Sequence, residues 1–145
     1  MKINPPIISL VYLVLMVTTH LLYPVQLISS PYRYLGIVVF MIGAYFFVKA
    51  RILFINTKTP IKPSDTPKFL HTLGLYGVSR NPIYLGITLA MLGIALLLAT
   101  PFPFIFPFLF FLKMNFVFIP LEERNLEKVF GKKYLSYKVR VRRWI

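Results

Sequence analysis

Residues 74–86 read Gly-Leu-Tyr-Gly-Val-Ser-Arg-Asn-Pro-Ile-Tyr-Leu-Gly, at the point where a basic, Pro-containing loop turns into a long apolar run. Three of the chain's seven glycines lie in this stretch beside Tyr76, Arg80, Asn81, Pro82 and Tyr84. Gly74 and Gly77 let backbone approach a ligand closely or take a positive φ. Arg80 brings a permanent charge. Asn81 before Pro82 suits a helix start, with Asn as N-cap and Pro in the first turn. A second polar group follows some forty residues later, where Glu122, Glu123 and Glu127 make up three of the chain's four acids. A carboxylate can pair with an ammonium or accept from ribose hydroxyls, and tyrosines can stack on an adenine or a sulfonium. Side by side, these residues would hold a zwitterionic or cationic ligand. The plainer alternative is a capped helix start with an interfacial Arg and an aromatic belt.

The elements that must bring them together are apolar. The 145-residue chain is 57% hydrophobic and only 14% charged, and its mean hydropathy is +0.71. Such a composition points to an all-α integral membrane protein in one domain. Four transmembrane helices are expected over 5–23, 34–55, 82–99 and 102–119, each close to the length needed to cross about 30 Å of hydrocarbon. The first is read as a retained helix and not as a cleaved signal. Gly36 and Gly43, with Ala44, offer small positions for a neighbouring helix, and Pro107 is a candidate kink. His20, Lys113 and Asn115 are read as packed or interfacial polar residues.

Between the second and third helices, 56–81 carries Pro60, Pro63 and Pro67 with Lys58, Lys62 and Lys68, and belongs in water or at the interface. The turn Thr100-Pro101-Phe102-Pro103 is too short to cross anything, so helices three and four form a hairpin. The hairpin returns Glu122 and Glu123 to the membrane face that holds Arg80 and Tyr84. A helix start is expected at Pro120, with Glu122 and Glu123 at the positive end of its dipole and Gly131 as its stop. Residues 120–145 then form interfacial helices. The net charge of +13 sits mostly in the loop and the tail, which places both termini and the site on the cytoplasmic side and argues against nucleic acid as partner. With no cysteine and two distant histidines, disulfides, thiolate catalysis and a metal site find no support.

Four pieces of the second half carry a resemblance. Leu70, Thr72, Gly74 and Tyr76 come first; Arg80-Asn81-Pro82 with Tyr84 follow; then Glu122-Glu123 with Leu126; then Phe130-Gly131 with Tyr134 and Tyr137. In this order and spacing they resemble the isoprenylcysteine carboxyl methyltransferase family, and more broadly the integral-membrane methyltransferases that include phospholipid N-methylating relatives. The resemblance implies S-adenosylmethionine as cofactor. It implies Lys68, Phe69, Leu70 and His71 lining the cofactor partly through backbone, Tyr76 and Asn81, Pro82, Ile83 and Tyr84 wrapping it, and Glu122 at its polar end. Phe118 stands where the prenylcysteine enzymes carry an Arg for the substrate carboxylate, so Arg80 is the candidate for a substrate's anionic group.

Methyl transfer to a lipophilic acceptor entering from the bilayer is the expected activity, the acceptor being a carboxylate, amine or thiol of a lipid or prenylated molecule. A sulfonium methyl is electrophilic by itself, so alignment and water exclusion are the protein's tasks. An amine or thiol would have to lose a proton, and no His is evidently placed to take it. The alternatives are a membrane reductase using NADPH and a non-enzymatic small membrane subunit.

Overall fold

The computed structural model describes residues 4–56 and 69–145, which are all-helical with no strand among them. The longer helices are α1 (Pro5–Leu22), α2 (Leu35–Asn56), α3 (Pro82–Leu98), α4 (Ile105–Lys113), α5 (Ile119–Phe130) and α6 (Lys132–Arg140). Short 3-10 turns over Tyr32–Tyr34, Gly74–Gly77 and Phe102–Phe104 lead into α2, α3 and α4. Lys68 and the prolines of the expected loop lie outside the described residues.

Proline and glycine set most helix ends. Pro5 and Pro82 occupy first turns, where a missing N–H costs nothing. Ala99 caps α3 in the left-handed region (φ 56°), and Gly131 separates α5 from α6 at φ 49°. Pro107 falls in the first turn of α4.

One expected boundary is absent. No break precedes Pro120: Phe102–Phe130 forms a single helical run of 29 residues. Inside it, Met114–Phe118 is a π turn in which the Ile119 N–H reaches back to the Met114 carbonyl. A proline ring in a regular helix meets the carbonyl four residues earlier, here that of Phe116. The wider π turn makes room at that place, so the helix continues through Pro120.

α2 lies along α3, and four glycines set how closely. Gly36 and Gly43 of α2 oppose Gly93 and the Gly86–Ala90 segment of α3, in antiparallel order. A Cβ on Gly86 would stand 2.6 Å from the Phe47 backbone nitrogen, and one on Gly93 2.5 Å from that of Phe40. The two backbones therefore touch, and only glycine permits it. Ala44, expected beside Gly43 at this contact, turns to a cavity instead. α1 stands apart from α2 and packs on α4, where Ile8 and Met16 join Tyr84, Met91, Ala95, Phe110, Met114 and Ile119 in the core. At the far end, His20 Nδ1 pairs with Thr100 Oγ1 at 3.2 Å, and the Leu27 N–H donates to the Ala99 carbonyl at 2.7 Å.

Among the described residues, three helical runs are long and apolar enough to cross a membrane: Pro5–Leu22, Tyr32–Asn56 and Phe102–Phe130. α3, with 17 residues, is apolar but shorter. Val11, Val14, Ile37, Val38 and Met41 are exposed on the outer faces of α1 and α2, as suits helices whose solvent is lipid. The chain is a membrane protein.

Candidate functional site

The gap between α1 and α2 is a cavity of about 1170 Å³ floored by α3. Its apolar half is built by repeats of three and four residues, which keep side chains on one helix face. Phe40, Ala44, Phe47 and Phe54 come from α2, with the charged Arg51 on the same face, and Ile83, Ile87, Ala90 and Ile94 come from α3. Leu10 and Leu13 face them from α1. At the other end the walls become polar, with Arg80, Asn81, Tyr84, Glu122, Tyr134 and Tyr137.

Glu122 is oriented by α3: the Tyr84 hydroxyl donates to its Oε1 at 2.5 Å. Beside it the rings of Phe54, His71 and Tyr76 pack in a triangle, with centroids 5.0 to 5.9 Å apart. Burial lowers the pKa of His71 from its ordinary value and raises that of Tyr76, so both rings are neutral near pH 7. The Tyr137 hydroxyl donates to the Tyr76 carbonyl at 2.6 Å, tying α6 to the turn before α3. Burial also pushes the phenols of Tyr134 and Tyr137 up to about 12, the Glu123 charge adding to the effect at Tyr134 and the Tyr134 ring at Tyr137.

Glu123 is the buried centre of a charge cluster. Its Oε1 lies 3.1 Å from Arg80 Nη1 and accepts from Arg143 Nε at 3.2 Å, while Oε2 accepts from Arg143 Nη2 at 2.9 Å. Lys138 is 3.8 Å from Oε2 but only 2.6 Å from Glu127, and we assign it to Glu127. Arg80 Nη1 also donates to the Tyr134 hydroxyl at 3.3 Å. Its Nε is buried with no hydrogen-bond partner among the described residues.

Residues 142–144 run across the back of this cluster. The Arg142 carbonyl accepts from the Arg80 N–H at 3.0 Å, and the Arg143 carbonyl accepts from Asn81 Nδ2 at 3.0 Å. Trp144 donates from Nε1 to Asn115 Oδ1 at 3.1 Å and lies on Phe111, ring centroids 4.7 Å apart. Asn115 belongs to the π turn, and Arg143 Nη1 donates to both its oxygens.

Of the residues singled out in the sequence, Phe69, Leu70, His71, Tyr76, Arg80, Asn81, Ile83, Tyr84 and Glu122 all line the cavity. Pro82 is buried at the start of α3 and outside the wall, and Lys68 lies outside the described residues. Asn81 holds the N-cap position without a capping bond, because its side chain is spent on Arg143. Its own N–H goes to Ser79 Oγ at 3.1 Å. His71 brings its ring to the wall, beyond the backbone contact expected of it. The sequence reading missed Phe54 and Arg51, although the repeat 40, 44, 47, 51, 54 marks one face of α2. It also missed the role of residues 142–144, for which a basic tail gives no local signal.

A sequence model of the phospholipid methyltransferase family matches residues 31–133, from the turn before α2 to the start of α6. No curated protein and no solved structure gives a significant match. With about seven-tenths of its length matched, the chain belongs to the phospholipid methyltransferase family, one of the integral-membrane methyltransferases, a group that includes the isoprenylcysteine carboxyl methyltransferases.

Proposed function

We propose that the chain transfers a methyl group from S-adenosylmethionine to a lipophilic acceptor, with the donor at the polar end of the cavity and the acceptor's apolar part in the trough between α1 and α2. The observation that carries this reading is the continuity of one cavity from Glu122 and Arg80 to Leu13 and Ile94.

The residues present fit the donor. Glu122 offers a carboxylate to an ammonium or to ribose hydroxyls. Phe54, His71 and Tyr76 offer aromatic faces to an adenine, and Phe69 and Leu70 line the adjoining wall. Bound there, S-adenosylmethionine supplies a methyl that is already electrophilic. The protein's part is to orient and to exclude water. Tyr84 holds Glu122 in one position, and the apolar walls keep water from the reacting end. Arg80, through its unpartnered Nε, is the donor for an acceptor's anionic group, a carboxylate or a phosphate.

In the membrane we place four crossings, α3 and α4 forming a hairpin, with residues 56–81 and 120–145 and both termini on the cytoplasmic side. α3 spans about 26 Å at 1.5 Å per residue, a few ångströms short of the hydrocarbon layer, which local thinning accommodates.

The test is calorimetric titration of the detergent-purified protein with S-adenosylhomocysteine, with Glu122→Gln as control. Saturable binding that the substitution removes supports the reading. No binding at millimolar ligand by folded protein sinks it. Labelled methyl donor offered with lipid extracts then identifies the acceptor.

A further inference from the structure

We propose that Arg143 is a positioning residue for Arg80: the strap formed by residues 142–144 holds the Arg80 guanidinium so that its Nε is left as the cavity's anion donor. This rests on the reading of Arg80 as the site of an acceptor's anionic group. The geometry is specific. Arg143 grips both oxygens of Glu123, at 3.2 and 2.9 Å, and Glu123 in turn holds Arg80 Nη1 at 3.1 Å. The Arg142 and Arg143 carbonyls hold the Arg80 backbone N–H and the neighbouring Asn81 side chain, each at 3.0 Å. Arg80 is thus held from the side of the strap at both its main chain and its Nη1 end, and its Nε is a buried donor left without a partner among the described residues. Its side chain is only 10% exposed. A buried donor without a partner is unfavourable, and a ligand anion would remove that cost. The strap is anchored in its turn where the π turn presents Asn115 to Arg143 and Trp144. Residues 142–144 lie beyond the part of the chain that the family model matches.

Trp144 is the chain's single tryptophan, so its emission reports whether the strap is docked. The experiment compares the full-length protein with Arg143→Ala and Arg143→Lys in mild detergent. Each is titrated with dodecyl phosphate, with dodecanoate and with S-adenosylhomocysteine, and its emission spectrum is recorded. The expected result is that Arg143→Ala weakens whichever of the two anions the unsubstituted protein prefers by about tenfold or more, the loss of one charge-assisted contact. S-adenosylhomocysteine should lose clearly less, Trp144 emission should shift toward that of exposed indole, and Arg143→Lys should restore part of the anion affinity. The phosphate and carboxylate arms tell which anion the site takes. If Arg143→Ala fails to fold, Arg143→Lys decides, because it keeps a charge near Glu123 but loses the two-pronged grip: a several-fold weaker anion affinity upholds the inference, and an unchanged one refutes it. Equal loss of all ligands in the Ala variant, or no binding of either anion by the unsubstituted protein, overturns it. Absence of S-adenosylhomocysteine binding alone, with the anion effect intact, counts against the methyl-donor reading and leaves the role of Arg143 standing.

Discussion

Neutralising Glu123 should unfold the polar end of the cavity. The carboxylate is 7% exposed and lies between two guanidinium groups. Glu123→Gln keeps the shape but leaves Arg80 buried without its counter-charge, a loss of about 3–5 kcal/mol for a buried pair broken on one side. The Arg143 pair adds no more than about 1 kcal/mol, because that side chain is a third exposed and water screens it. Lys138 adds little, since it keeps Glu127 at 2.6 Å. A protein of this size loses roughly 2–4 °C of melting temperature per kcal/mol, so the midpoint should fall on the order of 10 °C. Thermal unfolding in a mild detergent measures it. The fall should persist at 0.5 M NaCl, because buried pairs are screened far less than surface ones. A Glu123→Gln midpoint within about a degree of the parent would refute the claim that this carboxylate holds the cluster together. So would a loss that high salt erases.

Other outcomes follow from the same geometry. Tyr84→Phe removes the donor that orients Glu122 and should weaken S-adenosylhomocysteine about tenfold in calorimetry, with little change in melting temperature. Gly93→Ala forces a methyl against the Phe40 backbone nitrogen and should destabilise by about 1–3 kcal/mol; a thermal scan unchanged from the parent would show that α2 and α3 do not touch there. In an ultraviolet titration, Tyr134 and Tyr137 should stay protonated as pH passes 10, since burial holds both near 12. Unfolded chains lose those protons first, so stability is present below pH 10 and falls as pH rises toward 12, and the double Phe variant should show a shallower fall.

Much of this protein was legible along the chain. The positions of α1, α2 and α3 follow from apolar runs bounded by Pro and Gly, because a lipid-facing backbone has no alternative to the helix. Glu122, Tyr84 and Arg80 could be named because buried polar residues beside membrane helices stand out against an apolar background. Other features were written in three dimensions only. The π turn that carries the helix through Pro120 depends on how the turn relaxes around a ring, which residue type alone does not tell. The meeting of Arg143 with Glu123 is set by where α6 ends relative to α5, and one more Arg in a basic tail looks like any other. Sequence spacing determines which residues share a helix face; which face meets which, and which donor is left without a partner, is decided only when the helices pack, because hydrogen bonds and ion pairs are settled over a few ångströms.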